Sequence, residues 1–194
     1  MGLYQAGFDV TGIDFVPQLE YPFDFIQADA LTFPLEGYDF IWASPPCQAF
    51  TAYKRRKAHV KACPNLIPAT RERLKAWGGR YVIENVPGAP LENPIILCGS
   101  MFGLDVKRHR LFEANFPLYQ HHCRHHRWTP RFPPATNRTN LRRTVEIGVW
   151  RIPLEMQQRA IGIDWMSLKT LSQAIPPAYA RWIGLRAMSH IIRN

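Results

Sequence analysis

Trp42-Ala43-Ser44-Pro45-Pro46-Cys47-Gln48 puts a cysteine just past two prolines, at the end of the apolar run Tyr38-Asp39-Phe40-Ile41-Trp42. Such a run reads as a buried strand, and a Pro-Pro pair cannot continue one. The thiol is therefore expected on a stiff turn at the carboxyl edge of a sheet, where open α/β sheets place their ligands. A second stretch of this kind follows: Arg80-Tyr81-Val82-Ile83-Glu84-Asn85-Val86-Pro87-Gly88. It is again an apolar strand, ending here in a carboxylate and an amide. A nucleophile and an acid at the ends of two strands form an active-site constellation.

Outward from these two strands, the chain alternates strand and helix signals. Residues 2–7 read as a helix end closed by Gly7. Phe8-Asp9-Val10-Thr11-Gly12-Ile13-Asp14 alternates and ends in an acid, as a strand would. Tyr21 to Ala28 holds another, ending before Asp29. Residues 54–63 are polar and basic and read as a loop. The spacing predicts a helix over 66–77, stopped by Gly78-Gly79. Ile95 to Cys98 and Arg110 to Ala114 are two further short strands. Residues 153–166 show helical spacing, and Pro176-Pro177 opens a terminal helix over 176–188. Strands alternating with helical segments predict an α/β protein with a mostly parallel, doubly wound sheet. Residues 115–150 break the pattern. They are rich in Pro, Arg, His and Thr and read as a small irregular insert, between a core over 1–114 and a helical segment over 151–194.

At 194 residues the chain is long enough for one domain with a real core. No run approaches the roughly 20 apolar residues of a membrane span, and no signal peptide is visible. The cysteines, at 47, 63, 98 and 123, show no paired spacing, which fits a reducing, cytoplasmic setting better than a disulfide frame. Net charge is +9 with a pI near 9.7, which suits a polyanionic partner. The charge is also concentrated. Lys54-Arg55-Arg56-Lys57, with Lys61, follows the cysteine turn directly, and from Lys107 to Arg143 there are nine Lys or Arg against one acid, Glu113.

These residues resemble the DNA cytosine-5 methyltransferase family. Pro45-Pro46-Cys47-Gln48 looks like its catalytic loop, and Glu84-Asn85-Val86 looks like its Glu-Asn-Val element. Arg108-His109-Arg110 is similar to the Arg-x-Arg pair that follows. Gln173-Ala174-Ile175-Pro176-Pro177-Ala178-Tyr179 resembles the last motif of small phage and bacterial members. The resemblance covers nearly the whole chain and is weakest between about residues 115 and 150, where the family holds its target-recognition part.

The resemblance implies a Rossmann-like S-adenosylmethionine-dependent methyltransferase fold, double-stranded DNA as partner, and a covalent mechanism. Cytosine C5 is a poor nucleophile; a Cys47 thiolate added at C6 makes it enamine-like. Basic neighbours favour that thiolate. Glu84, with a pKa raised by burial, would serve N3 of the base. Asn85 would fix the loop or the sugar. Arg110 would pair with the base carbonyl or the backbone near Cys47, supported by Arg108. Asp14 resembles the acid that takes the cofactor's ribose hydroxyls and Asp29 the acid near its adenine, with Pro46 lining the same pocket. The target base must be flipped out of the duplex. Gln48 to Lys61 would close over it, with Lys54, Arg55, Arg56 and Lys57 on phosphates. His121-His122-Cys123-Arg124-His125-His126 has the side chains of a zinc site. Its spacing is too tight for four ligands, so it reads as a basic, DNA-facing loop with no metal.

The family opens with a strand and a Phe-x-Gly-x-Gly loop that cradles the cofactor. This sequence starts at Met1-Gly2-Leu3-Tyr4-Gln5-Ala6-Gly7-Phe8, which looks like the helix after that loop. The strand would lie at the centre of the sheet, between those ending at Asp14 and Pro45, so the ladder is expected to split there and leave two edges. A start further upstream, a strand supplied by another chain, or a copy without catalysis would each account for this. The functional alternatives are thus a DNA cytosine-5 methyltransferase, an inactive DNA-binding relative, and an enzyme using the same thiol addition on RNA.

Overall fold

Residues 80–85 are aromatic and β-branched at their centre, and Tyr81 to Asn85 are all buried. The computed structural model, which describes residues 1–50, 64–119, 122–123, 129–130 and 143–192, is built around this strand. In chain order the elements are α1 (Gly2–Gln5), β1 (Thr11–Asp14), β2 (Asp24–Gln27), β3 (Phe40–Ala43), α2 (Ile67–Trp77), β4 (Arg80–Asn85) and β5 (Ile95–Leu97). A 3-10 turn (Gly99–Phe102), β6 (Arg110–Ala114), β7 (Thr129–Pro130) and β8 (Arg143–Thr144) follow. The chain then closes with α3 (Leu154–Ile161), α4 (Leu168–Leu171) and α5 (Pro177–Ile191).

The fold is mixed α/β. One sheet has the order β3-β4-β6-β5, while β1-β2 and β7-β8 form separate two-stranded ladders. Strand β3 runs parallel to β4, with Ala43 opposite Ile83. Strand β6 is antiparallel to both β4 and β5. The expectation of one mostly parallel sheet is therefore corrected. The connection from β5 to β6 is a hairpin-like return, not a helical crossover, and a return without a crossover makes an antiparallel pair.

Alternation along β4 sends side chains to two faces. Tyr81 and Ile83 pack with Leu74 of α2 on one face. Val82 joins Leu97, Phe112 and Phe116 against Tyr179, Ile183 and Ala187 of α5 on the other. This second cluster is the main core. Helix α2 starts where Ile67 N donates to Asn65 Oδ1 (3.1 Å), with a proline in its first turn, and ends at Gly78, whose N–H returns to Leu74 O (3.2 Å). The helix expected over 153–166 ends instead at Ile161, because Gly162 takes φ 78° and turns the chain out of the helix. The terminal helix is longer than expected and reaches Ile191.

Side chains, not ladder bonds, fasten β1-β2 to the rest. Phe8 stacks on Phe40 at 5.5 Å, and α1 packs on α5. The Arg73 guanidinium donates to the carbonyls of Leu31 and Phe33. Glu20 accepts from Ser167 N (3.1 Å) and from the Thr170 hydroxyl. On the α2 side, Arg71 grips the buried Glu113 of β6 with two bonds of 2.7 Å, and the same carboxylate accepts from Glu92 N. Arg71→Met should strand that carboxylate and lower stability by about 3–5 kcal/mol, while Arg71→Met with Glu113→Leu should recover much of the loss. Urea unfolding checks this, and a single-variant loss below about 1 kcal/mol, as for an exposed pair, contradicts it.

Candidate active site

The parallel register of β3 and β4 decides the site. With Ala43 opposite Ile83, the next residues, Ser44 and Pro45, come level with Glu84 and Asn85. The Asn85 amide donates to Pro45 O (2.9 Å), and its own oxygen accepts from Val86 N (2.9 Å). This buried side chain ties the Pro-Pro-Cys turn to the end of β4. Cys47 opens the next turn, its carbonyl accepting from Phe50 N (2.9 Å). The Trp42 indole donates to Ser44 Oγ (3.0 Å), which orients that hydroxyl toward Glu84.

Glu84 is 6 % exposed. Antiparallel pairing sets it opposite Phe112, so Arg110, two residues away on the same face, is its diagonal neighbour. Arg110 Nε lies 3.2 Å from Glu84 Oε1. Burial raises the Glu84 pKa above the usual carboxylate range, against the opposing pull of Arg110, the Ser44 hydroxyl and Arg108. Arg108 is held down to about 10, by burial first and by Arg110 second; Glu84, Tyr179 and Cys47 pull it back. Thiol, acid and both arginines thus share one electrostatic environment.

The two arginines make contacts that the sequence did not indicate. Arg108 is held by the C-terminal segment. Its guanidinium donates to the carbonyls of Ala174 and Ser172 (both 2.7 Å), and its own carbonyl accepts from the Tyr179 hydroxyl (3.0 Å). Its backbone sits at φ 20° to make that turn. Arg110 spends its Nη1 on His109 O (2.8 Å) and its Nε on Glu84, so the acid is its partner. Asn85 holds the turn through the Pro45 carbonyl, one of the two roles expected of it.

Asp14 ends β1, where its carboxylate accepts from Val16 N (2.9 Å) and Gln18 Nε2 (3.1 Å). Asp29 lies two residues past β2 and accepts from Leu31 N (2.9 Å). Asp14 and Gln27 are register partners, so both acids stand at one end of this ladder. Pro46 and Gln48 are exposed in the cysteine turn. Lys54, Arg55, Arg56 and Lys57 lie outside the described residues. Two clefts, of about 410 and 690 Å³, run along α1, α3 and α5, away from Cys47 and Glu84.

Ser44 and Tyr179 are the members that the sequence reading did not assign. Both lie inside quoted motifs, but nothing in spacing shows that Ser44 bonds Glu84 or that Tyr179 receives the Arg108 backbone. Among the described residues no helix is long and apolar enough to cross a membrane. No protein-family model matches the chain, and no curated protein matches it.

A buried acid with a raised pKa makes the folded state weaker as pH rises above the unfolded value, near 4.3. The unfolding free energy of the wild type minus that of Glu84→Gln should therefore fall between about pH 4 and pH 7. A pH series of denaturation curves measures it, and a rise over that range contradicts the burial argument.

Proposed function

We propose that this chain is a DNA cytosine-5 methyltransferase of Rossmann-like fold, acting on a cytosine flipped out of duplex DNA. One observation carries the reading: a buried glutamate of raised pKa stands beside a turn that bears a cysteine, and an asparagine bond of 2.9 Å locks the two together. A thiol-addition enzyme needs that pair. Cys47 supplies the thiolate that bonds to C6 and leaves again when the C5 proton is lost. Glu84 holds a proton toward N3, so that charge developing on the ring is met by a hydrogen bond. Arg110 opposes the rise that burial imposes on that acid.

S-adenosylmethionine, when bound, supplies an electrophilic methyl group. Two acids at one end of the β1-β2 ladder suit its ribose and adenine ends, since Asp14 and Asp29 offer acceptors beyond neighbouring strand ends. Pro46 would border the same space. The net charge of +9 supports a polyanionic partner, and a reducing cytoplasm would keep Cys47 a thiol.

A second reading is an inactive DNA-binding relative. The break in the ladder between β1 and β3 favours it, because the acids and the thiol then sit on separate sheets. Transfer of labelled methyl from S-adenosylmethionine to duplex DNA distinguishes the two. Active protein should label cytosine, Cys47→Ala should label none, and Glu84→Gln should slow transfer by about 10²–10⁴-fold. Duplex binding without label in the wild type favours the inactive relative.

A further inference from the structure

The sequence around His121 to His126 looks self-contained and too tight for a metal. The fold changes its company. Cys98 follows β5, His109 precedes β6, and Cys123 lies beyond β6, yet their donor atoms all fall within 4.8 Å of one another. Cys123 Sγ is 3.5 Å from His109 Nε2. A tetrahedral zinc with bonds of about 2.3 Å to sulfur and about 2.0 Å to nitrogen needs donors roughly 3.5–3.8 Å apart. The observed cluster requires only small side-chain adjustments to reach that.

The surroundings fix the Cys98 sulfur in place. Cys98 is fully buried and its S–H donates to Lys107 O (2.8 Å), while the Ser100 hydroxyl donates to its sulfur (3.4 Å). Gly99 N bonds the same Lys107 carbonyl (3.2 Å) and so closes the return between β5 and β6. A Cβ on Gly99 would stand 2.0 Å from Val106 O, so this closure requires glycine. A divalent cation takes cysteine as the thiolate, so binding releases the thiol protons.

We propose that Cys98, His109 and Cys123 form a zinc site, a soft-metal centre that ties the segment after β6 to the β5–β6 return. Two thiolates neutralise the cation, and His109 binds as the neutral imidazole. The thiol protons leave to solvent on binding, and the Cys98 contact to the Lys107 carbonyl is given up for the metal. Three protein donors leave the fourth position to water or another donor. The site stands next to Arg108 and Arg110 in sequence, so the metal would hold the backbone that presents them. None of this depends on the methyltransferase reading.

The test uses the full chain, purified without chelator and kept under a phosphine reductant. Metal content should be about one zinc per chain. Cobalt replacing it should give tetrahedral visible bands and a thiolate-to-cobalt charge-transfer band in the near ultraviolet. Cys123→Ser should weaken zinc binding by at least about 100-fold and shrink the charge-transfer band, and His109→Ala should do so too, with circular dichroism reporting whether each variant folds. The wild-type measurements need no variant. A wild-type chain that takes up neither zinc nor cobalt overturns the proposal. So does a Cys123→Ser protein with unchanged affinity and spectrum, or a Cys98–Cys123 disulfide that persists under reductant.

Discussion

The 2.9 Å bond from the Asn85 amide to the Pro45 carbonyl is the constraint on which the candidate site depends. A Pro-Pro-Cys turn has no ladder of its own, because neither proline donates a hydrogen bond. Its direction must come from elsewhere. Parallel pairing of β3 and β4 brings the two strand ends level, and Asn85 then captures the one carbonyl that fixes the turn. Being 1 % exposed, the amide has no water to compete for that bond. The same register sets Ser44 beside Glu84, so a single alignment of two strands positions thiol, hydroxyl, amide and acid together.

Electrostatics then decide what the constellation can hold. A carboxylate buried at a strand end is costly unless paired. Arg110 answers Glu84 from the neighbouring strand, and Arg108, buried itself, is satisfied by carbonyls from residues 172 and 174. The C-terminal segment is thereby part of the site although it touches neither Cys47 nor Glu84 in the bonds described. Tyr179, in the main core, passes the connection on by donating to the Arg108 carbonyl. Damage to α5 packing is thus felt at the arginines.

Much of this was legible in the sequence. Elements that bury two faces carry apolar runs, and β4 and β6 were read close to their observed limits for that reason, while α2 was read from its helical spacing and the Gly78-Gly79 stop. Pro176-Pro177 announced α5 because proline is pre-set for a first helical turn. Other features were hidden. The helical spacing across 153–166 continues through Gly162, whose left-handed backbone ends the helix while the apolar period runs on. The antiparallel return of β6 has no local signal, since short apolar runs look alike in either direction. The meeting of Cys98, His109 and Cys123 depends on that return: residues far apart in sequence converge only once β5 and β6 pair. The pairing of Arg108 with carbonyls 64 and 66 residues away lies equally beyond any spacing rule.

The central claim is that Cys47 is the nucleophile of the site that Glu84 serves as acid. Its most direct test is covalent capture on a duplex containing 5-fluorocytosine, in the presence of S-adenosylmethionine, followed by peptide mapping of the adduct. The fluorine blocks the final proton loss, so an addition at C6 stays attached to the protein. The account predicts one adduct, carried by the peptide that contains Cys47 and dependent on the cofactor. An adduct on Cys98 or Cys123, or duplex binding with no adduct at all, would contradict it.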